Sequence, residues 1–130
     1  MTFEIGTKCY SETVVTDENT AIAAGSGSLP VFATPFMLAL MENAASKCAD
    51  KFLEEGSTTV GTLLNVSHNA ATAVGMKVTA CAELTAVEGR KLIFKVTASD
   101  EKGEIGEGVH ERFIVYKEKF LKKAQERKDQ

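Results

Sequence analysis

A change of hydrophobic period near residue 57 decides most of what this chain can become. Before it, Met37, Leu40, Met41, Ala44, Ala45, Cys48 and Phe52 recur at helical spacing. After it, residues 57–68, 76–87, 90–99 and roughly 104–116 alternate in the manner of strands. Thr34-Pro35 predicts the helix start, the threonine as N-cap and the proline at the first helical position. Glu54-Glu55-Gly56 predicts its end, since glycine tolerates a left-handed terminus. Glu88-Gly89 and Asp100-Glu101-Lys102-Gly103 read as tight turns between strands. Upstream, Phe3, Ile5, Tyr10, Val14 and Val15 predict an opening strand within residues 3–16. A flexible surface loop over Ala23–Pro30 follows it.

One amphipathic helix and about five antiparallel strands can bury each other's apolar faces, which makes this an α+β chain. We expect one domain over residues 1–118 and a charged tail over 119–130, helical and frayed. Strict alternation places Val60, Thr62, Leu64, Val66 and His68 on one face of their strand. Thr59, Gly61, Leu63 and Asn65 then take the other. In the last strand, His110 and Arg112 alternate with Gly106 and Gly108, opposite Ile105, Val109, Phe113 and Val115.

Composition removes several function classes. A net charge of −3 argues against a broad nucleic-acid footprint. The three cysteines, Cys9, Cys48 and Cys81, are odd in number and form no C-x-x-C, as expected of buried thiols in a reduced, cytoplasmic protein. Residues 1–6 lack the basic-then-apolar pattern of a signal peptide, and no apolar run approaches the ~20 residues of a membrane helix. His68 and His110 are far apart and show no zinc spacing, so no metal and no cofactor are expected. G-x-G-x-x-G, P-loop and G-x-S-x-G patterns are all absent.

Three residues stand out chemically. Glu42 has Leu38, Ala45 and Ala49 as helical neighbours, so its carboxylate is either desolvated or paired with a donor. The bland alternative is a glutamate at the stripe's edge reaching into water. His68 ends an apolar strand face, where an imidazole can act as acid or base near neutral pH, or simply be a hydrogen-bonded structural group. Thr34 is explained by N-capping, yet the same position sets a hydroxyl at a positive helix end. Eight helical residues, ~12 Å, separate Thr34 from Glu42, so contact needs a folded-back loop or two subunits. The glycines beside His110 and Arg112 would let a ligand or another backbone come close, and Arg112 could hold a phosphate or carboxylate. A solvated strand face is the plainer reading of that pair. The lysines of 117–123 read as solvent-facing, with nucleotide phosphate as the alternative.

Taken together, Val31-Phe32-Ala33-Thr34-Pro35, Leu40-Met41-Glu42, Gly61-Thr62, Val66-Ser67-His68 and Gly108-Val109-His110-Glu111-Arg112 resemble the hot-dog-fold acyl-CoA thioesterases, and within them the fluoroacetyl-CoA thioesterase-like group. The resemblance spans about residues 5–118. It implies a long central helix wrapped by an antiparallel sheet, a homodimer or higher oligomer with sites at the subunit interface, and metal-free hydrolysis of an acyl-CoA thioester. By motif match it implies Thr34, Glu42 and His68 as the catalytic set. Gly61 would lie near the thioester carbonyl, and we add His110 and Arg112 as substrate-binding candidates. The alternatives on the same scaffold are a non-catalytic acyl-CoA-binding dimer and an acyl-thioester dehydratase or hydratase. One departure stands out: Gly25-Ser26-Gly27-Ser28-Leu29 contains no aromatic with which to form an apolar lid. Narrow fluoroacetyl specificity is therefore not expected.

Overall fold

The structure, a computed structural model, describes residues 2–130. Its elements run β1 (Lys8–Val14), α1 (Ala21–Ala24), α2 (Thr34–Asp50), β2 (Ser57–His68), β3 (Lys77–Glu88), β4 (Lys91–Asp100), β5 (Gly103–Tyr116) and α3 (Lys117–Lys128). The five strands form one antiparallel sheet in the order β1-β3-β4-β5-β2. β2 therefore lies at an edge. Helix α2 packs Met37, Met41, Ala44, Ala45, Cys48 and Ala49 into a core shared with Val78, Ala80, Ala82 and Leu84 of β3 and Leu92, Phe94, Val96 and Ala98 of β4. Alanines on both sides let the helix lie close to the sheet, where each fully buried Met, Leu, Val or Phe side chain contributes ~1.5–3 kcal/mol. The arrangement is the hot-dog fold that the sequence resemblance implied.

Several boundaries differ from expectation. β1 is shorter than residues 3–16, and Phe3 packs its ring on Phe52 at 5.5 Å instead of joining the strand. Helix α2 stops at Asp50; Gly56, with φ of 86°, belongs to the turn into β2. Helix α1, one turn capped by Thr20 and closed by Gly25 at φ of 70°, takes in Ala23 and Ala24 of the expected loop, and residues 25–30 carry no helix or strand.

The larger correction concerns faces. The β2–β5 register shifts between Gly61 and Leu63, leaving Thr62 as an extra residue. Alternation restarts there, so Thr59 and Gly61 share the helix-facing side with Leu64, Val66 and His68. On β5 the expected sides are exchanged over residues 109–113, while Ile105 and Val115 are buried as expected. His110 and Arg112 face inward and are buried, while Val109 and Phe113 are 42% and 36% exposed. The three cysteines are free, and burial followed by the neighbouring Cys9 pushes the Cys48 thiol up to about 12, which keeps it protonated and inert. Among the described residues, no helix is long and apolar enough to cross a membrane.

Candidate active site

Thr34 opens α2 and His68 closes β2. Two isolated bridges hold the segment before α2, Thr20–Phe32 to the residue ahead of α1 and Val31–Ala73 to the chain after β2. The Phe32 N–H donates to the Thr72 carbonyl at 2.9 Å and the Ala33 N–H to the Asn19 carbonyl at 3.0 Å. Thr34 is thereby set over the end of β2, with its Oγ1 2.7 Å from Nδ1 of His68. The expected capping role does not materialise. Ala33 is the N-cap, Thr34 already lies inside the helix, and its hydroxyl bonds to the imidazole instead.

The His68 ring is half-buried, and desolvation pulls its pKa below the usual 6.5, with the Ala70 backbone opposing. The ring is accordingly neutral at pH 7 and able to take a proton. Nε2 is buried and has no hydrogen-bond partner among the described residues. The pair opens on a cavity of about 270 Å³ whose lining includes Ser26, Val31, Phe32 and Asn69.

Glu42 sits in a second cluster. Its Oε2 lies 3.6 Å from Nη1 of Arg112, so the carboxylate is paired with a donor, and its side chain keeps 38% exposure. Arg112 is fixed on its other edges by Thr59, donating from Nε to Oγ1 at 2.8 Å and from Nη2 to the carbonyl at 3.0 Å. Burial lowers the Arg112 pKa and Glu42 opposes that shift, so the guanidinium stays charged. Nη1 also reaches Nε2 of His110 at 3.2 Å. A guanidinium can only donate, so His110 Nε2 accepts, and the ring proton resides on Nδ1, which donates to the Leu63 carbonyl at 2.8 Å. That carbonyl belongs to the bulge. Gly61 completes the cluster: a Cβ there would press on the Glu42 carboxylate and lie 3.2 Å from the His110 ring and 3.4 Å from Arg112 Nη1.

The six candidate residues thus fall into two groups. Thr34 meets His68, and Glu42 meets Gly61 and Arg112, with His110 behind; Glu42 does not pair with His68. Sequence reasoning missed Thr59, Ser26 and the Leu63 carbonyl. The glycine-threonine pair in mid-strand was the available hint of a bulge. Among the described residues, no group of three or more His, Cys, Asp or Glu side chains could hold a metal ion.

A family model for the fluoroacetyl-CoA-specific thioesterase FlK matches residues 15–118. The chain belongs to that family. It is 46% identical over 97 residues to the fluoroacetyl-CoA thioesterase of Streptantibioticus cattleyicolor, covering 75% of this chain and 70% of the relative. The solved structure of the fluoroacetyl-CoA thioesterase FlK superposes with a TM-score of 0.92 at 37% identity, over 97% of this chain and 98% of that one. A variant of FlK in complex with fluoroacetate and CoA superposes at 0.85 with 40% identity, over 91% and 99%. A thioesterase superfamily member from Thermus thermophilus gives 0.89 at 33% identity, over 98% and 97%. Membership of this family makes the protein a thioester hydrolase acting on acyl-CoA.

Proposed function

We propose that the protein hydrolyses short acyl-CoA thioesters at sites shared between two copies of the chain, with Thr34 and His68 from one copy and Glu42 and Gly61 from the other. The observation that carries this is the 2.7 Å contact between Thr34 Oγ1 and a neutral His68 at the mouth of a cavity. His68 serves as general base and then returns the proton to the leaving thiolate. Thr34 either attacks the thioester carbonyl through its hydroxyl or places the attacking water. Mass spectrometry of a quenched reaction separates these routes, because only the first leaves an acyl group on Thr34. Backbone N–H groups at the start of α2 or at Gly61 stabilise the oxyanion. Glu42, held by Arg112, supplies the carboxylate that charge-stabilises the imidazolium.

Two facts support the shared site. Thr34 and Glu42 lie ~12 Å apart along one helix. The long edge of β2 is also open, with Leu63 44% exposed, and an uncovered edge strand is a template for pairing with a second copy. His110 and Arg112, expected as substrate contacts, are buried behind Gly61 and in this reading position Glu42 and the bulge. The free cysteines fit a reducing compartment, and we place the protein in the cytoplasm.

The test is free-thiol release from a panel of short and medium acyl-CoAs, with His68→Ala beside the parent. Release by the parent and loss by at least a hundredfold in the variant, roughly the scale of general-base catalysis, is the expected result. Unchanged release in the variant would overturn the role of His68. With serines and glycines in place of an aromatic lid, we expect acetyl-CoA and fluoroacetyl-CoA to be turned over within about tenfold of one another. That follows from the small discrimination an open pocket provides.

A further inference from the structure

We propose that Thr72 and Asp100 are positioning residues for the reaction, clamping the segments that carry Thr34 and His68 at the spacing their contact needs, an inference that rests on the roles given to that pair above. The connection from β2 to β3 is exposed at every residue from 69 to 75 except one. The exception is Thr72, which is fully buried. A loop that needs only an apolar anchor could take valine, which has nearly the same shape. Here the anchor is a hydroxyl, and it donates to Oδ2 of Asp100 at 2.8 Å. A hydrogen bond to a carboxylate is roughly twice as strong as one between neutral groups. It also has direction, so it sets the loop's position and not just its burial.

Asp100 is a firm post for this bond. It ends β4, and its Oδ1 accepts the Lys102 N–H at 2.8 Å. The next residue, Glu101, accepts the Lys77 N–H at 2.9 Å, which ties the same turn to the start of β3. Desolvation resists the charge on Asp100, yet the N–H groups of Lys102 and Gly103 and the Thr72 hydroxyl outweigh it. They hold the carboxyl below its usual pKa of 3.8, so it is ionised at neutral pH.

Thr72 passes this anchorage to the candidate site in two directions. Back along the chain, His68 lies four residues away. Across the gap, the Thr72 carbonyl accepts the Phe32 N–H at 2.9 Å, two residues before Thr34, and Ala73 bridges to Val31. The cavity is walled by Val31 and Phe32 on one side and by Ala70 and Ala71 on the other, and neither Thr72 nor Asp100 lines it. The clamp therefore lies behind the walls and acts through them. Thr34 and His68 are 34 positions apart in the chain, and their 2.7 Å contact depends on where those two segments are held. A displacement of an ångström breaks such a bond and costs ~10²-fold in rate.

The test compares Thr72→Val, Thr72→Ser and Asp100→Asn with the parent and with His68→Ala. Acetyl-CoA turnover is measured beside the His68 imidazole nitrogen resonances by NMR. Thr72→Val keeps the shape and removes the donor, Thr72→Ser keeps the donor, and Asp100→Asn leaves one oxygen for two donors. We expect kcat to fall by about tenfold or more in Thr72→Val and Asp100→Asn, with KM within about twofold and the His68 Nδ1 resonance displaced. Thr72→Ser should keep both near the parent. A packing role predicts a lower melting temperature in Thr72→Val with kcat and resonance unchanged, and that result would overturn the clamp. Equal losses in Thr72→Ser and Thr72→Val would do the same. Should Thr72→Val not fold, Asp100→Asn against Thr72→Ser decides the matter by the same two readouts. Full turnover in His68→Ala would overturn the roles of the pair and the clamp with them. An inactive His68→Ala beside a Thr72→Val with parental kcat would overturn the clamp alone.

Discussion

His110 is fully buried with both ring nitrogens engaged, one donating to Leu63 and one accepting from Arg112. A second proton would set an N–H against the guanidinium. Its pKa is lowered first by burial and also by Arg112, against the Leu63 carbonyl, Glu42 and Glu111. The His68 pKa is lowered too, again chiefly by desolvation. For both, the unfolded chain takes up the proton first as pH falls. The stability they contribute is therefore complete above pH 6.5 and declines as pH drops from 6.5 toward the folded pKa values. Melting temperature should fall between about pH 7 and about pH 5, and fall less steeply in His110→Asn, which no longer titrates there. The acidic limb of kcat/KM should lie below 6.5 if His68 is the base, and a limb above that value would refute the assignment. Glu42→Gln leaves the Arg112 cation buried without its anion. Since Glu42 itself is partly in water, we expect a loss of ~1–2 kcal/mol in urea melts, short of the penalty for a fully buried pair.

The helix was the element most legible in the sequence, because methionines, alanines and a cysteine at helical spacing are also what α2 buries. Its neighbours show where such reading stops. Alternation carried through 57–68 separates Gly61 from His68, and only the extra residue Thr62 returns them to one face. On β5, His110 and Arg112 looked like an outer face because a hydrophobicity pattern registers polarity alone. It cannot register that Thr59 and Leu63, some fifty positions earlier, supply the partners that make burial affordable. Thr34 was read as a cap for a related reason: its bond to His68 joins distant segments, whereas a cap is local. Of the site, the residue types were legible and their grouping was not. Deleting Thr62 should keep the helical and sheet content by circular dichroism while lowering kcat/KM by about a hundredfold or more, the scale of an ångström-level misplacement. An active deletion variant would show that the bulge does not set the site.

An open β2 edge and the ~12 Å along α2 between Thr34 and Glu42 both favour the shared site proposed above. If two copies complete each other, dilution below the dimer's dissociation constant should abolish turnover before the fold is lost. Sedimentation and activity measured over the same concentrations would check this, and a fully active monomer would contradict it. The separation of Thr34 and His68 from Glu42 also has a genetic meaning. Under the proposed shared site, His68→Ala and Glu42→Ala chains should each be inactive alone, but a mixed pair should assemble one doubly broken site and one intact site. Random reassociation of equal amounts should restore about a quarter of parental activity, since half the dimers are mixed and each has one good site of two. The double mutant should instead poison every site it shares with a normal copy. In a cell carrying two alleles, single lesions would be recessive and mutually rescuing, and the double lesion dominant.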